Sequence, residues 1–184
     1  ENVDEAVAMR GYELSHIKDV YASSNDIVII DSISQKLGKL KRQIGYPKFA
    51  MLGWDEAISY QKRCNAEFSE TEKKFLERLF YCDASKYGFF GSKPIKELDF
   101  EHDTSEFVRI GDQYIYRGKS LETWMKIRNE VGSTIVLTSG VRGLMKQFDL
   151  FLNKVRSVRD NYSLASRSIA PVGYSYHGVG DFDV

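Results

Sequence analysis

The chain has 184 residues, of which 42% are hydrophobic, enough for one globular unit with a sizeable core. Its 26 lysines and arginines balance 26 aspartates and glutamates, so the formal net charge is zero. A neutral chain has no overall field that attracts nucleic acid or an anionic membrane, and no apolar stretch reaches the length of a membrane span. Partners must therefore be recognised at local sites.

The amino-terminal part of the chain, residues 1–85, is predicted to be a mainly helical region. Apolar residues on a polar background indicate a helix over residues 4–23. The β-branched run at residues 27–30 is compatible with a short strand, but the apolar residues after it have helical spacing. Those residues are Ile33, Leu37, Leu40 and Ile44. Ser69 and Glu72 form a capping-box pattern before an apolar stripe, which predicts a helix over residues 70–84.

The second part, residues 86–184, is predicted to differ in structure from the first. Its first segment, residues 86–117, is rich in glycine, proline and aromatic residues. This composition predicts loops and a short hairpin that turns around Gly111 and Asp112.

The remaining elements define the fold class. Ser120 is a candidate cap for a helix that Gly132 closes, and the apolar run at residues 134–138 is predicted to be a buried strand. Apolar residues at helical spacing then predict a long amphipathic helix over residues 143–159. Helix, strand and helix together indicate an α+β domain with a small sheet flanked by helices.

Two features bear on the cellular compartment. Cys64 and Cys82 can form one disulfide in an oxidising compartment or remain two buried thiols, and both alternatives stay open. The acidic start at residues 1–4 lacks the basic and apolar parts of a signal peptide, so we expect any export signal to have been removed already.

The densest set of potential metal ligands surrounds His177, in a glycine-rich segment with Asp181 and Asp183 close behind. Imidazole and carboxylate both bind Zn²⁺ well, and a catalytic zinc usually takes three protein ligands and one water. From spacing alone, an ordinary turn is the more common role for such a histidine. Arg142, after the predicted strand, is a candidate partner for a substrate carboxylate or an oxyanion; the alternative is a surface arginine.

These segments carry a family resemblance when they are taken together. Ser139-Gly140-Val141-Arg142-Gly143 is followed by Gln147, and then by Ser175-x-His177-x-x-Gly180 with an aspartate after it. The order and the residues resemble the zinc peptidase family of D-alanyl-D-alanine carboxypeptidases and dipeptidases, which includes the VanX and VanY vancomycin-resistance enzymes. The resemblance covers residues 138–184 and is faint in the amino-terminal half.

The resemblance implies a small antiparallel sheet of the zinc D,D-peptidase type and a role for each matching residue. His177 and Asp183 would bind Zn²⁺, Arg142 would stabilise the transition state, and Gln147 and Ser175 would contact the substrate. That substrate would be a peptidoglycan stem peptide ending in D-Ala-D-Ala, so the expected location is the periplasm or cell envelope. D,D-dipeptidase or endopeptidase activity and a non-catalytic cell-wall peptide-binding module are the alternatives, and the helical amino-terminal half is a candidate cover for the cleft.

The chain departs from the family pattern in two places. The usual aspartate lies seven residues after the histidine, whereas Asp183 lies six after His177; we prefer it to Asp181 because apolar residues flank it. The family also has a later Glu-x-x-His or Glu-x-Trp-His segment that supplies the base and third ligand. None follows Val184, so we expect a truncated and inactive catalytic domain. His16 and His102 match no motif, and His102 is predicted to lie in an exposed polar turn.

Overall fold

The computed structural model of the protein describes residues 18–184, which form an α+β structure. Seven helices are present in this range. They are α1 (Ser24–Ile44), α2 (Tyr46–Met51), α3 (Trp54–Arg63), α4 (Glu70–Tyr81), α5 (Lys119–Val131), α6 (Leu144–Ser157) and α7 (Tyr162–Ser166). Strands β1 (Phe107–Ile110) and β2 (Gln113–Tyr116) pair antiparallel in one hairpin. None of these helices has the length and apolar character needed to cross a membrane.

Helix α1 absorbs the run at residues 27–30, so the strand interpretation of that run is wrong. Its apolar side chains continue the helical spacing, and Ile30 is fully buried beside Ile33. Ser23 caps the helix, since its Oγ accepts the backbone N–H of Asp26 at 3.1 Å. Most of the helix predicted over residues 4–23 lies outside the described residues, and its end, residues 18–23, is not helical.

Residues 18–23 are not helical because their backbone pairs with a distant segment. The N–H of Ala22 donates to the carbonyl of Asp160 at 2.8 Å, and the N–H of Tyr162 donates to the carbonyl of Val20 at 2.8 Å. These bonds satisfy backbone groups that a helix would otherwise use. Long-range pairing therefore overrides the local helical pattern at the entry to α1.

The predicted capping box at the start of α4 is confirmed. Ser69 Oγ accepts the N–H of Glu72 at 3.2 Å, and Glu72 Oε2 accepts the N–H of Ser69 at 2.6 Å. The same carboxylate accepts bonds from Ser32 and Lys36 on α1, each at 2.6 Å. One buried side chain thus caps α4 and joins it to α1.

One large apolar cluster draws on both predicted regions of the chain. The amphipathic helix predicted over residues 143–159 is confirmed as α6, which buries one face against α1, α2 and α7. Fully buried members of the cluster include Leu37, Phe49, Leu76, Phe148 and Phe151. Burial of such apolar surface is the main stabilising term of a small fold. Cys64 lies in this cluster and Cys82 packs against it, and the structure describes both as free thiols.

The start of α5 and the connection from α5 to α6 both differ from the prediction. Gly118, not Ser120, is the N-cap of α5, and Ser120 Oγ instead donates to the carbonyl of Gly180 at 2.8 Å. Gly132 closes the helix as expected, with φ +103°. Residues 134–138 do not form a buried strand, since Val136 is 62% exposed and the described chain provides only an isolated bridge at the end of this segment.

The hairpin predicted around Gly111 is confirmed. Phe107 pairs with Tyr116 and Ile110 with Gln113, and Gly111 turns the chain with φ +60°. Phe107 packs with Met51 and Val141 in a second, small apolar cluster. This cluster fixes the hairpin against α2 and against the Ser-Gly-x-Arg segment, where the candidate site begins.

Candidate functional site

Two glycines allow the Ser-Gly-x-Arg segment to pass between neighbouring backbones. A Cβ on Gly140 would lie 2.0 Å from the carbonyl oxygen of Tyr114 in β2. A Cβ on Gly143 would lie 2.6 Å from the Met51 backbone at the end of α2. The N–H of Val141 donates to Tyr114 at 2.7 Å, and that of Gly143 donates to the Ala50 carbonyl at 2.7 Å. These contacts give the intervening Arg142 a defined position.

Arg142 is held by contacts on its backbone and its guanidinium. Its N–H donates to the carbonyl of His177 at 3.1 Å. Nε donates to Ser139 Oγ at 3.1 Å, and Nη2 lies 3.4 Å from Asp183 Oδ2. Burial lowers the pKa of Arg142, while the Asp183 carboxylate acts in the opposite direction. The arginine is therefore a half-buried, oriented cation and not the surface arginine of the alternative interpretation.

His177 lies in a short turn, Tyr176–Gly178, and its ring is oriented by the Arg142 segment. Nδ1 lies 3.1 Å from the carbonyl oxygen of Gly140. A carbonyl oxygen only accepts, so Nδ1 carries the hydrogen and Nε2 of the neutral ring presents a lone pair. Burial and the charge of Arg142 lower the pKa of His177, and the Gly140 carbonyl and Asp183 oppose them.

Asp183 reaches the same point through a backbone pairing with Ser139. Its N–H donates to the Ser139 carbonyl at 2.7 Å, and its carbonyl accepts the N–H of Thr138 at 3.0 Å. Its Oδ2 then lies 3.3 Å from His177 Nε2. The side chain is 56% exposed, so the pair opens to solvent. The Asp183 carboxylate is thus the point at which Arg142 and His177 meet. The sequence pattern singled out all three residues.

A cleft of about 660 Å³ borders this convergence point. His177 and Asp183 lie on one side of it, and the first turns of α5, including Ser120 and Thr123, lie on the other. Ser120 also bonds to Gly180, so α5 is tied to the segment that carries both candidate ligands. The exposed Asp183 carboxylate is therefore accessible to a ligand in the cleft.

The two predicted substrate-binding residues are less accessible. Gln147 is buried, and its Nε2 donates to the carbonyl of Ala170 at 2.5 Å. Its Oε1 is buried without a hydrogen-bond partner in the described part of the chain. Ser175 is also buried and begins the His177 turn, where its carbonyl accepts the N–H of Gly178 at 3.2 Å. Their contact with a substrate stays a prediction.

His102 is not in an exposed polar turn, and that prediction is wrong. Its ring packs edge-on against Phe100 and Phe107, and its Nδ1 lies 3.2 Å from the hydroxyl of Tyr116. The same hydroxyl donates to the carbonyl of Gly178 at 3.0 Å. Burial lowers the pKa of His102. Aromatic packing from distant segments, which local sequence does not show, makes this histidine a support for the His177 turn.

Sequence reasoning also missed polar residues beside Arg142. Lys146 lies four positions later, in the first turn of α6, and is buried. Tyr46, the first residue of α2, lies under its ammonium group, and Gln113 bonds to the Tyr46 hydroxyl. Local sequence gave no signal for the burial of Lys146, because a lysine usually keeps its ammonium group in solvent. No sequence signal marks Tyr46 either, since about a hundred residues separate it from Arg142.

The donor atoms of His177 and Asp183 have a spacing compatible with zinc. Ligand atoms at the usual zinc distances and a tetrahedral angle lie about 3.4 Å apart, and His177 Nε2 and Asp183 Oδ2 are 3.3 Å apart. The bond from Nδ1 to a carbonyl is the orientation that metal-binding histidines commonly have. Within residues 18–184, no group of three or more His, Cys, Asp or Glu side chains is positioned to hold a metal. The described residues thus offer two donor atoms at a spacing compatible with zinc, and zinc binding stays a prediction.

Comparisons with protein-family models, with curated proteins and with solved structures find no match for the chain. The α+β fold class comes from the structure itself. Membership of the zinc peptidase family stays a prediction from the residue pattern.

Proposed function

We propose that the protein has the zinc-dependent D-alanyl-D-alanine carboxypeptidase site of the family it resembles and acts on peptidoglycan stem peptides. The observation that carries the proposal is the meeting of Arg142, His177 and Asp183. Forty-one positions separate the first from the last, yet Arg142 Nη2 and His177 Nε2 both lie within 3.4 Å of the same Asp183 oxygen. Residues chosen by pattern alone thus share one site.

In this proposal, His177 Nε2 and Asp183 Oδ2 hold the zinc ion. Zinc, when bound, supplies a Lewis acid and a bound water of lowered pKa. Gly140 contributes through its carbonyl, which accepts the His177 Nδ1 hydrogen and keeps Nε2 directed at the metal position. The third ligand and the proton acceptor are not assigned to any residue.

Arg142 would stabilise negative charge on the substrate. In the hydrolysis, a water oxygen bonds to the amide carbonyl carbon, the C–N bond breaks, and the leaving nitrogen takes a proton, which releases D-alanine. The carbonyl oxygen carries a negative charge between these steps. Because Ser139 and Asp183 fix two edges of the guanidinium, its remaining N–H groups are positioned before the charge develops.

Zinc binding by calorimetry, with D-alanine release from a stem peptide ending in D-Ala-D-Ala, tests the proposal. Both are measured on this chain and, where the natural protein is longer, on the full-length form. We expect zinc binding that is lost in His177→Ala and in Asp183→Ala and retained in Asp181→Ala, the matched control. Arg142→Ala should keep zinc but lose on the order of a hundredfold or more in turnover.

Three outcomes are informative. Zinc binding that ignores His177 and Asp183, or none in either form, would overturn the proposal. Zinc binding without hydrolysis in the full-length form would favour a cell-wall peptide-binding module. Full turnover in Arg142→Ala would remove the role assigned to the arginine. Because peptidoglycan stem peptides lie outside the cytoplasmic membrane, a location in the periplasm or cell envelope is part of the proposal.

A further inference from the structure

A lysine next to the candidate site is buried, with Tyr46 beside its ammonium group. Lys146 is 5% exposed, and its Nζ lies without a hydrogen-bond partner among residues 18–184. The ammonium group lies 5.0 Å from the centroid of the Tyr46 ring. Burial of an unpaired ammonium is costly, and a cation over an aromatic ring offsets only part of that cost. Such a group in a native fold needs an explanation.

The Tyr46 hydroxyl has a hydrogen that its known partner does not use. Gln113 Oε1 accepts the N–H of Gly140 at 3.3 Å, which fixes the orientation of the amide. Gln113 Nε2 therefore faces Tyr46 and donates to its oxygen at 3.3 Å. Since Gln113 is the donor in that bond, the Tyr46 O–H remains available to a ligand. Tyr46 as a whole residue is 37% exposed, so it is accessible from solvent.

The charges around Tyr46 favour an anion. Burial would raise the pKa of Tyr46, but Lys146, Gln113 and Arg142 together lower it below the ordinary value. The pKa of Lys146 is itself lowered, first by burial, and the charge of Arg142 acts in the same direction. Two cations thus lie near one phenol, and the charge of Asp183 acts on both of them. An incoming anion would reduce this imbalance.

We propose that the Tyr46 hydroxyl binds a ligand carboxylate beside Arg142, and that Lys146 is a positioning residue that supplies positive charge over the face of the tyrosine ring. Carboxylate binding at Tyr46 does not depend on the proposed peptidase activity. The choice of cleavage type does rest on the proposed peptidase activity. In a stem peptide the carboxylate is the free carboxyl end, so Tyr46 and Lys146 would select carboxypeptidase over endopeptidase cleavage.

Acetate is the probe for carboxylate binding, and acetamide is its neutral control. Both are titrated at constant ionic strength into protein labelled with ¹³C at the tyrosine Cζ, with the Tyr46 signal assigned from Tyr46→Phe. We expect a saturable shift of the Tyr46 signal with acetate and none with acetamide. Lys146→Met should weaken acetate binding about tenfold or more, the loss expected when a hydrogen bond to a charged group loses its support.

Lys48 provides a matched control. It lies 5.6 Å from the ring of Tyr60, but it is more exposed and is paired with Glu56 at 2.5 Å. Lys48→Met should leave acetate binding unchanged, and the Tyr60 signal should not respond to acetate. The Tyr46 phenol should titrate at higher pH in Lys146→Met, which a purely structural role of Lys146 would not produce. Equal responses of the Tyr46 signal to acetate and acetamide, or unchanged acetate binding in Lys146→Met, would overturn the proposal.

These measurements are independent of zinc and turnover, so the two proposals can fail separately. Acetate binding in a chain that never binds zinc would overturn the peptidase proposal alone. Zinc and D-alanine release without an acetate response would overturn the carboxylate site alone. In an active form, Tyr46→Phe should raise KM about tenfold for a peptide with a free carboxyl end and leave KM unchanged for its C-terminal amide. Equal effects on both peptides would overturn the role in selecting the carboxyl end.

Discussion

Helices α1–α4, α6 and α7 share one large apolar cluster, whereas the hairpin, α5 and the segments with Arg142 and His177 have fewer buried apolar side chains and are also joined by individual polar contacts. The first part buries many side chains, such as Phe148 and Leu76, completely. The second part has a small cluster built on Met51, Phe107 and Val141. Regions with few buried apolar contacts open more readily than the core. The candidate site thus lies on the less stabilised part of the molecule.

This difference tells us how the site is positioned. Arg142 immediately precedes α6, whose apolar face belongs to the large cluster, so the core fixes one side of the site. His177 and Asp183 are fixed by backbone pairs to Arg142 and Ser139 and by the support from Tyr116. Changes in the core should therefore unfold the protein, and changes in the site-bearing part should displace the ligands with a smaller loss of stability.

Phe148→Ala tests the core and should have the largest effect. Phe148 is fully buried on α6, so its truncation should lower the free energy of unfolding by about 3–5 kcal/mol. Val136→Ala is the control from the site-bearing part and should change stability by less than about 0.5 kcal/mol, because its side chain is mostly exposed. Urea denaturation followed by circular dichroism measures both. Similar losses in the two variants would contradict the comparison.

Gly140→Ala tests the close approach of the Ser-Gly-x-Arg segment to β2. The new Cβ would lie 2.0 Å from the Tyr114 carbonyl oxygen, so the segment must move, at a cost of about 2–3 kcal/mol. Zinc binding should fall as well, because the Gly140 carbonyl orients His177. Gly38→Ala is the matched control. It lies inside α1 with its nearest neighbour atom at 3.5 Å, and should gain about 0.5–1 kcal/mol. A stable Gly140→Ala would show that the segment is not tightly confined.

Glu72→Gln tests the polar link between α1 and α4. Burial would raise the pKa of Glu72, but Lys36, Ser32 and the Ser69 N–H lower it below the ordinary glutamate value. The ionised form is therefore favoured in the folded state. Its contribution is complete above the unfolded-state pKa and is lost as pH falls through the lowered folded pKa. At neutral pH we expect a loss of about 1–2 kcal/mol in Glu72→Gln.

The control for Glu72 is its neighbour in the first turn of α4. Glu70 has a largely exposed carboxylate, so Glu70→Gln should have a much smaller effect. Free energies of unfolding from neutral to acidic pH should converge for wild type and Glu72→Gln as Glu72 becomes protonated. A difference that stays constant over this pH range would show that its charge is not what stabilises the link.

Elements with a complete local signal could be predicted from the sequence. Helix α4 has both its cap and its stripe within residues 69–80, and α6 has apolar residues at helical spacing along its length. The hairpin was marked by Gly111 and Asp112 at its turn. The run at residues 134–138 has equally good strand residues, but a strand needs a partner, and composition does not specify one. Ser120 likewise has the right chemistry for a cap, yet its hydroxyl bonds to distant Gly180.

The residues of the candidate site divide in the same way, into those with a local sequence signal and those without one. Arg142, His177 and Asp183 could be named because each belongs to a short ordered motif, and the structure brings all three together. His102 and Tyr46 could not, since their surroundings come from segments far away in sequence. Whether a polar side chain is buried depends on what packs over it, and that information is distributed over the whole chain.

Tyr116→Phe should have the smallest effect and is the most specific test of how the site-bearing part is held. The substitution keeps the ring against Phe107 and removes one hydroxyl, which donates to Gly178 and contacts His102. Burial raises the pKa of this phenol to about 12, so it remains a donor throughout the neutral range. We expect a stability loss of about 1 kcal/mol and faster amide hydrogen exchange in the His177 turn. Exchange at Gly38 should change only with global stability, because the core does not depend on this bond. Faster exchange in the turn but not in α1 would show that the hydroxyl holds the site locally; equal acceleration would show that the two parts unfold as one unit.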